Sequence, residues 1–460
     1  MMSRIVLVIP PGLPGTTSNH EGSSGLGAVE AADGFRYPPH TAAVVAAVLR
    51  DAGYEVTVID AAPLGYDTGR CVQTTLEARP ELVGAFVSWA TREADGLFIS
   101  ALRQGAGLAV PLVALGVSAS LMCEALGEAD YLLEGEPELA FRALCDRLLR
   151  EREALDRVVS PATLHVPGYD PQGLLSDLNA LPFPAWDLLP LERYPFLSVL
   201  SSRGCEEHCR WCPYVVAQGR RFRACSPERV VAELREVVRL YHPRRIVFRD
   251  PAFAQQRGRV EAICRGILAD RTLKPGKNLL WECESYPEHL DGALLSQMRR
   301  AGCGGIKIGL ETTDAGVLYR EERVREESDV AGYPSRVAAL TRDCARLGIA
   351  CRLFVLVGLP GQTLDSARET AAFVRALSVA SLTVKVFKPY PGLRTSRQVS
   401  IHYNRSEDRN LSAAKAPREE EIRAQAEVLE GVAQAIRERP KRQSPRWRRA
   451  LKRLLNMGGL

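Results

Sequence analysis

No run of about 18 apolar residues occurs in this 460-residue chain, which argues against an ordinary helical membrane span. The apolar stretch near the N-terminus, RIVLVI (4–9), ends in Pro-Pro. It is too short for the core of a secretion signal and reads as a buried first strand. A cytoplasmic location is expected. Cysteines stay reduced there, so the twelve in this chain point to metal where they cluster and not to disulfides. No repeat of solenoid period appears. The body also lacks a basic surface. Of the net charge of +5, the segment Arg437–Leu460 supplies nine Lys/Arg against one acid, so the remainder is slightly acidic. A nucleic-acid partner is therefore not expected, and the tail RWRRALKRLL reads as a solvated terminal helix.

At 46% hydrophobic and 25% charged residues, the composition is that of a soluble protein of two or three domains. The chain reads as α/β throughout. Residues 1–155 alternate strand and helix: RIVLVI (4–9), EVTVID (55–60), LVGAFVSWA (82–90), AVPLVALG (109–116) and ADYLLEG (129–135) are short apolar strands, with helices between. That pattern predicts a doubly wound parallel sheet, which binds ligands at the carboxyl ends of its strands. Residues 156–195 include ALPFPAWDLLPLERYP, a proline-rich extended connector. Residues 196–395 alternate again, through FLSVLSS, RRIVFRD, LLWECES, GGIKIGLE, CRLFVLVG and SLTVKVF. Six β/α units predict a partial barrel with its chemistry at the strand ends. Residues 396–460 read as a helical, charged C-terminal region.

Immediately after the first strand of the second region comes SSRGCEEHCRWCPY, in which Cys205, Cys209 and Cys212 are spaced C-x3-C-x2-C. Three thiolates on one loop can each bind one iron of a [4Fe–4S] cluster, leaving the fourth iron open to a small molecule. Zinc would need a fourth ligand. The nearby candidate, His208, directly precedes Cys209 and is badly placed to share one tetrahedral ion with it.

This cysteine triplet, with Trp211 before its last member, resembles the radical S-adenosylmethionine superfamily. VFRDPAF (247–253), IGLETTD (308–314), VGLPGQT (357–363) and KPYPG (388–392) follow in the family's order. The doubly wound first region and the LPFPAWDLLPLERY connector make the resemblance one to the subgroup with an N-terminal cobalamin-binding-type domain. The resemblance implies that the open iron holds S-adenosylmethionine. Reductive cleavage of that cofactor, with the electron supplied by a donor such as flavodoxin, then yields a 5′-deoxyadenosyl radical. It also implies cofactor contacts from Trp211, Gly309, Glu311, Gly358 and Gly361. Where the family has Gly-Gly-Glu after the second strand, this chain has Asp250-Pro251. Some cobalamin domains bind cobalt through D-x-H-x-x-G after the first strand. Here that loop contains His20 at the wrong offsets, so the first domain is expected to be a scaffold, with cobalamin the alternative.

In LLWECES, Glu282 and Glu284 share a face by strand alternation, and Asp250 ends the neighbouring strand. Three carboxylates near the strand ends need partners. Lys307 and Lys385 are one choice and a cationic substrate is the other. On the second reading Glu282, Glu284 and Asp250 are catalytic acid/base groups acting on an amino sugar. The expected reaction is then a radical diol dehydration of the aminoglycoside-deoxygenation type, a lyase activity in antibiotic biosynthesis. A separate nicotinamide-dependent reductase would consume its keto product. The alternative is a cobalamin-dependent radical C-methyltransferase. An iron–sulfur electron carrier fits less well, because it would complete the cluster with a fourth ligand.

Overall fold

The computed structural model describes residues 2–31, 34–394 and 417–439. They divide into two units. The first opens with β1 (Arg4–Ile9) and a small antiparallel hairpin of β2 (Thr16–Asn19) and β3 (Ala28–Ala31). It continues through β4 (Glu55–Asp60), β5 (Leu82–Phe86), β6 (Leu112–Leu115), β7 (Tyr131–Leu133) and the two-residue β8 (Val158–Val159). Apart from the hairpin, these strands form one parallel sheet in the order β4-β1-β5-β6-β7-β8.

Both faces of that sheet are covered, which explains why its central strands read as unbroken apolar runs. Ile5, Leu7 and Ile9 of β1 enter one core with Phe141 and Leu144. Val6 and Val8 enter the other, with Phe98 and Ile99. Gly84, in the middle of β5, leaves the room that Phe141 uses: a Cβ there would lie 2.8 Å from the phenylalanine ring. The strand order reverses between β1 and β5, so the carboxyl ends of these two flank the crevice where such sheets take ligands.

Five of the six parallel strands are signalled in the sequence. Val158–Val159 is too short to show a pattern, and the hairpin lies in a loop with no alternating run. The stretch 156–195 is not simply extended. It makes 3-10 turns at Leu178–Ala180, Trp186–Leu188 and Leu191–Arg193. Its Leu164 and Ala185 join the core of β1, so this stretch is part of the first unit. That unit runs to Ser198 and also takes in Pro213–Gly219 and Arg223–Cys225. Within it, the Arg223 guanidinium makes two hydrogen bonds of 2.8 Å to the buried Glu136 carboxylate.

β9 (Leu197–Val199) falls at the boundary of the two units in the chain. The second unit has a sheet whose order follows the chain: β12 (Ile246–Phe248), β13 (Trp281–Ser285), β14 (Cys303–Glu311), β15 (Ala350–Val357) and β16 (Ser381–Val386). Two two-residue strands lie between β9 and β12 in the chain, β10 (Ser202–Arg203) in this unit and β11 (Arg223–Ala224) in the first. Strands β12 to β16 pair in parallel, so their carboxyl ends, and the loops that follow, share one edge. Helices connect them. Pro227–Tyr241, for example, begins at an N-cap, with the Ser226 hydroxyl accepting from Arg229 N at 3.2 Å and Pro227 at its first position. The helix Glu419–Glu438 buries Gln425, Leu429, Val432, Ala433 and Ile436, a stripe of helical period, against β16 and the helix Leu364–Arg375. The expectation of a basic terminal helix falls mainly on residues outside those described. No helix among the described residues is long and apolar enough to cross a membrane.

Candidate active site

The loop that carries the three cysteines is anchored by a carboxylate at its entrance. Asp250, two residues beyond β12 and fully buried, accepts from Ser201 N at 2.8 Å, from Ser201 Oγ at 2.7 Å and from Ser202 Oγ. Arg259 donates to Ser201 O and Oγ at 2.7 and 2.8 Å, with a second nitrogen 4.0 Å from Asp250. Burial raises the pKa of Asp250, against the pull of Arg259 and the serine donors. The backbone then reaches Gly204, whose φ of +78° suits glycine, and turns into Cys205. The expectation of Asp250 as a substrate-facing acid is thereby corrected: its oxygens are engaged inside the chain, holding the start of the cysteine loop.

Cys205 and Cys209 are buried and Cys212 is half-buried. Cys209 and Trp211 pack with Val317 and Leu359, and Cys212, Tyr286, Leu356 and Phe387 lie against them. These partners come from the ends of β13, β14, β15 and β16 or the segments just after them, so the cysteines sit at the carboxyl edge of the sheet. Burial pushes the Cys205 thiol up to about 12 and raises that of Cys209, so thiolates here need a positive partner. Among the described residues, no three His, Cys, Asp or Glu side chains converge to hold one metal ion. In a four-iron cluster each thiolate takes its own iron. The three thiols on one loop, two of them buried and one half-buried, fit the cluster.

Glu311 ends β14 with φ +65°, a conformation rarely adopted by a residue with a side chain. The pairing of β14 with β15 slips between Gly309 and Glu311. The Glu311 carboxylate folds back over Gly309, where an added Cβ would meet its Oε1 at 2.1 Å. Burial raises its pKa to about 7, opposed by Arg323 and reinforced by Glu284. A carboxylate held this way, near the cysteines, suits hydroxyl or ammonium donors of a small molecule. Gly358 and Gly361 both have positive φ, +86° and +81°. The close neighbour at Gly358 is Ile422 of the helix Glu419–Glu438, 3.2 Å from where a Cβ would stand. The structure thus gives Gly358 a second, internal reason to be glycine.

The two remaining carboxylates separate. Glu282 lies near the beginning of β13, opposite Gly305, away from the cysteine edge. It is 2% exposed, accepts from both terminal nitrogens of Arg352, and is 3.0 Å from Arg245 Nη1. Burial would raise its pKa, but these two guanidinium groups hold it below the ordinary carboxylate value. The expectation of a catalytic Glu282 is therefore corrected to an internal ion pair. Glu284, two residues on, stands opposite Lys307. Burial raises its pKa while Lys307, Arg249 and Arg323 pull it down. The structure thus brings Glu284 toward Glu311 and Arg323, and leaves Glu282 and Asp250 outside that group.

Arg323, which no sequence motif signals, is the hub of the site. It is buried, lies 3.8 Å over the Tyr286 ring, and donates from Nε to Tyr333 Oη at 2.8 Å and from Nη2 to Gly309 O. Its Nη1 is 3.7 Å from Cys209 Sγ.

In the first unit the crevice between β1 and β5 holds a polar group. His20, which follows β2 in the hairpin after β1, meets Asp95 at 2.8 Å through Nε2. Asp95 in turn accepts from Ser88 N at 3.0 Å and Thr91 Oγ1 at 2.6 Å. His20 Nδ1 is buried and has no hydrogen-bond partner among the described residues. An oriented imidazole with one open nitrogen, at the reversal of strand order, fits a ligand that brings a metal.

Residues 199–374 match the radical SAM superfamily; this part of the chain is a radical S-adenosylmethionine domain. An uncharacterized methyltransferase from Pyrococcus horikoshii is 26% identical over 273 residues, 58% of this chain and 57% of that protein. The hopanoid C-3 methylase of Methylococcus capsulatus is 32% identical over 146 residues, 30% of this chain and 27% of the methylase. The chain thus matches little more than half the length of the first relative and about a quarter of the second. Among solved structures, the radical S-adenosylmethionine methyltransferase TsrM from Kitasatospora setae, with cobalamin and a [4Fe–4S] cluster bound, superposes with a TM-score of 0.68 at 18% identity. That alignment covers 87% of this chain and 75% of TsrM. The cobalamin-dependent radical enzyme OxsB, with aqua-cobalamin and S-adenosylmethionine bound, gives 0.63 at 16% identity, covering 88% and 55%. At these identities the likeness is one of fold, and it extends over both units.

Proposed function

We propose that this protein is a cobalamin-dependent radical S-adenosylmethionine methyltransferase. The observation that carries the proposal is the pairing of two sites in one chain. Three thiols, two buried and one half-buried, lie at the strand ends of a radical S-adenosylmethionine domain, and an oriented histidine with an open nitrogen lies in the crevice of a doubly wound domain. Cys205, Cys209 and Cys212 would hold a [4Fe–4S] cluster. Glu311, kept in place over Gly309, would accept from the hydroxyls or the ammonium of S-adenosylmethionine, beside the apolar wall of Trp211 and Leu359. His20, oriented by Asp95, would face cobalamin in the β1/β5 crevice. When bound, the cluster supplies the electron that cleaves the sulfonium, and cobalamin supplies a carrier for the methyl group. The curated relatives and TsrM, described as methyltransferases or methylases, support this reading.

Dehydration of an amino sugar rested on three carboxylates. Asp250 and Glu282 are engaged by internal partners, so of the three only Glu284 stays near the strand ends, beside Glu311, which the proposal gives to S-adenosylmethionine. What supported an amino-sugar substrate, and with it a partner reductase, is correspondingly reduced to Glu284.

The test is anaerobic reconstitution with iron, sulfide and hydroxocobalamin, then reduction and addition of S-adenosylmethionine deuterated in its methyl group. The proposal expects cobalamin to stay with the protein through gel filtration, and S-adenosylhomocysteine to form in a cobalamin-dependent way. Protein that sheds cobalamin and yields 5′-deoxyadenosine alone would overturn methyl transfer and return dehydration to first place.

A further inference from the structure

A buried guanidinium is costly unless its charge and its donors are satisfied. Arg323 is satisfied on nearly every side. Tyr286 lies under it at 3.8 Å and Tyr333 beside it at 5.3 Å, both offering ring faces that attract a cation. Tyr333 Oη and Gly309 O accept two of its protons. Among the described residues, however, no carboxylate comes within ion-pair distance of it. The group opposite its remaining terminal nitrogen is Cys209 Sγ, at 3.7 Å. A neutral thiol is a poor acceptor for a charged donor, whereas a thiolate bound to iron completes both the hydrogen bond and the charge balance.

We propose that Arg323 is a positioning residue that fixes the Cys209 thiolate and raises the electron affinity of the cluster it helps to hold. The inference rests on the cluster reading above and goes beyond it, because it assigns the control of reduction to a residue outside the cysteine motif. Hydrogen bonds and charge at the sulfurs are established levers on iron–sulfur potentials. A cationic donor stabilises the reduced, more negative cluster. An external low-potential donor then has less work to do in delivering the single electron that S-adenosylmethionine cleavage consumes. Tyr286 and Tyr333 keep the fork from rotating away, so geometry as well as charge is set.

The experiment compares reconstituted wild type, Arg323→Gln and Arg323→Lys by iron and sulfide content, by the EPR signal of the reduced cluster, and by redox titration. Arg323→Gln is expected to carry the full iron complement while its midpoint becomes more negative. At a fixed poise near the wild-type midpoint, the ratio of reduced to oxidised cluster should fall about tenfold, which for one electron corresponds to about 59 mV. Arg323→Lys, which keeps the charge and loses the fork, should fall between the two. A full cluster with an unchanged midpoint in Arg323→Gln would overturn the inference, leaving Arg323 as a packing residue. If Arg323→Gln fails to assemble a cluster, the Lys variant decides by the same criterion: a shifted midpoint supports the inference and an unshifted one overturns it. Wild type that assembles no four-iron cluster would instead sink the reading on which the inference rests.

Discussion

Glu282, buried, and Glu311, half-buried, stand on adjacent strands, yet the structure gives them opposite chemistry. Glu282 is clamped by Arg352 and Arg245, so its charge belongs to the fold. Breaking a buried ion pair by removing one partner costs about 3–5 kcal/mol. Both arginines are about a quarter exposed, and water can solvate what is left, which places Glu282→Gln near the lower end, about 3 kcal/mol. Urea unfolding should show that loss, while S-adenosylmethionine cleavage by the folded fraction stays close to wild type. A substrate-binding Glu282 would give the reverse, with stability kept and turnover lost. Glu311 has no ion-pair partner among the described residues, and burial raises its pKa from 4.5 to about 7. The folded chain therefore holds this proton more tightly than the unfolded one. The resulting stability is fully present below about 4.5 and is lost as pH rises through about 7. Unfolding midpoints measured across that window should fall for wild type, and fall distinctly less for Glu311→Gln. Equal slopes would show that another group sets the pH dependence. The cysteine site was legible in the sequence because its ligands are local, within one loop. The roles of Asp250 and Glu282 were not, because strand alternation gives the face of a residue but neither its depth along the strand nor its partners. Of those partners Arg259 is on the next helix, while Ser201, Arg245 and Arg352 come from more distant parts of the chain.

At the scale of elements, the loop after β15 is held from outside. Gln425, fully buried on the helix Glu419–Glu438, accepts from Gly358 N at 3.2 Å and donates to Gln362 O at 3.3 Å. Gln362 in turn closes the loop through Leu359 N and Leu356 O, both at 2.9 Å. Leu359 is in the apolar group against Cys209 and Trp211, so the helix steadies a wall of the cysteine site. Replacing Gln425 by Leu keeps the volume and strands the Gly358 N–H, at a cost of about 1–3 kcal/mol. Hydrogen exchange at residues 358–362 should quicken in that variant, with the strands of the first unit unchanged. If exchange there stays at the wild-type rate, the helix has no part in holding the loop. The repeated alternation of short, largely apolar runs with helical stretches made both sheets readable in advance. The short β8, the β2–β3 hairpin and the contribution of residues 156–198 to the first unit were not. Each depends on packing against a surface that forms only when the sheet is complete.

For the whole molecule, the proposal places two ligand sites in one chain, and it stands or falls with the cluster in the second unit. The most direct measurement is EPR of the anaerobically reconstituted, reduced protein, with and without S-adenosylmethionine, alongside iron analysis of wild type and of Cys205→Ala, Cys209→Ala and Cys212→Ala. The account predicts about four irons per wild-type chain. It also predicts a reduced-cluster signal that changes when S-adenosylmethionine is added, because the cofactor binds the open iron, and loss of both the signal and the cleavage in each variant. A wild-type protein that takes up zinc in place of iron, or whose cluster signal is indifferent to S-adenosylmethionine, would contradict it.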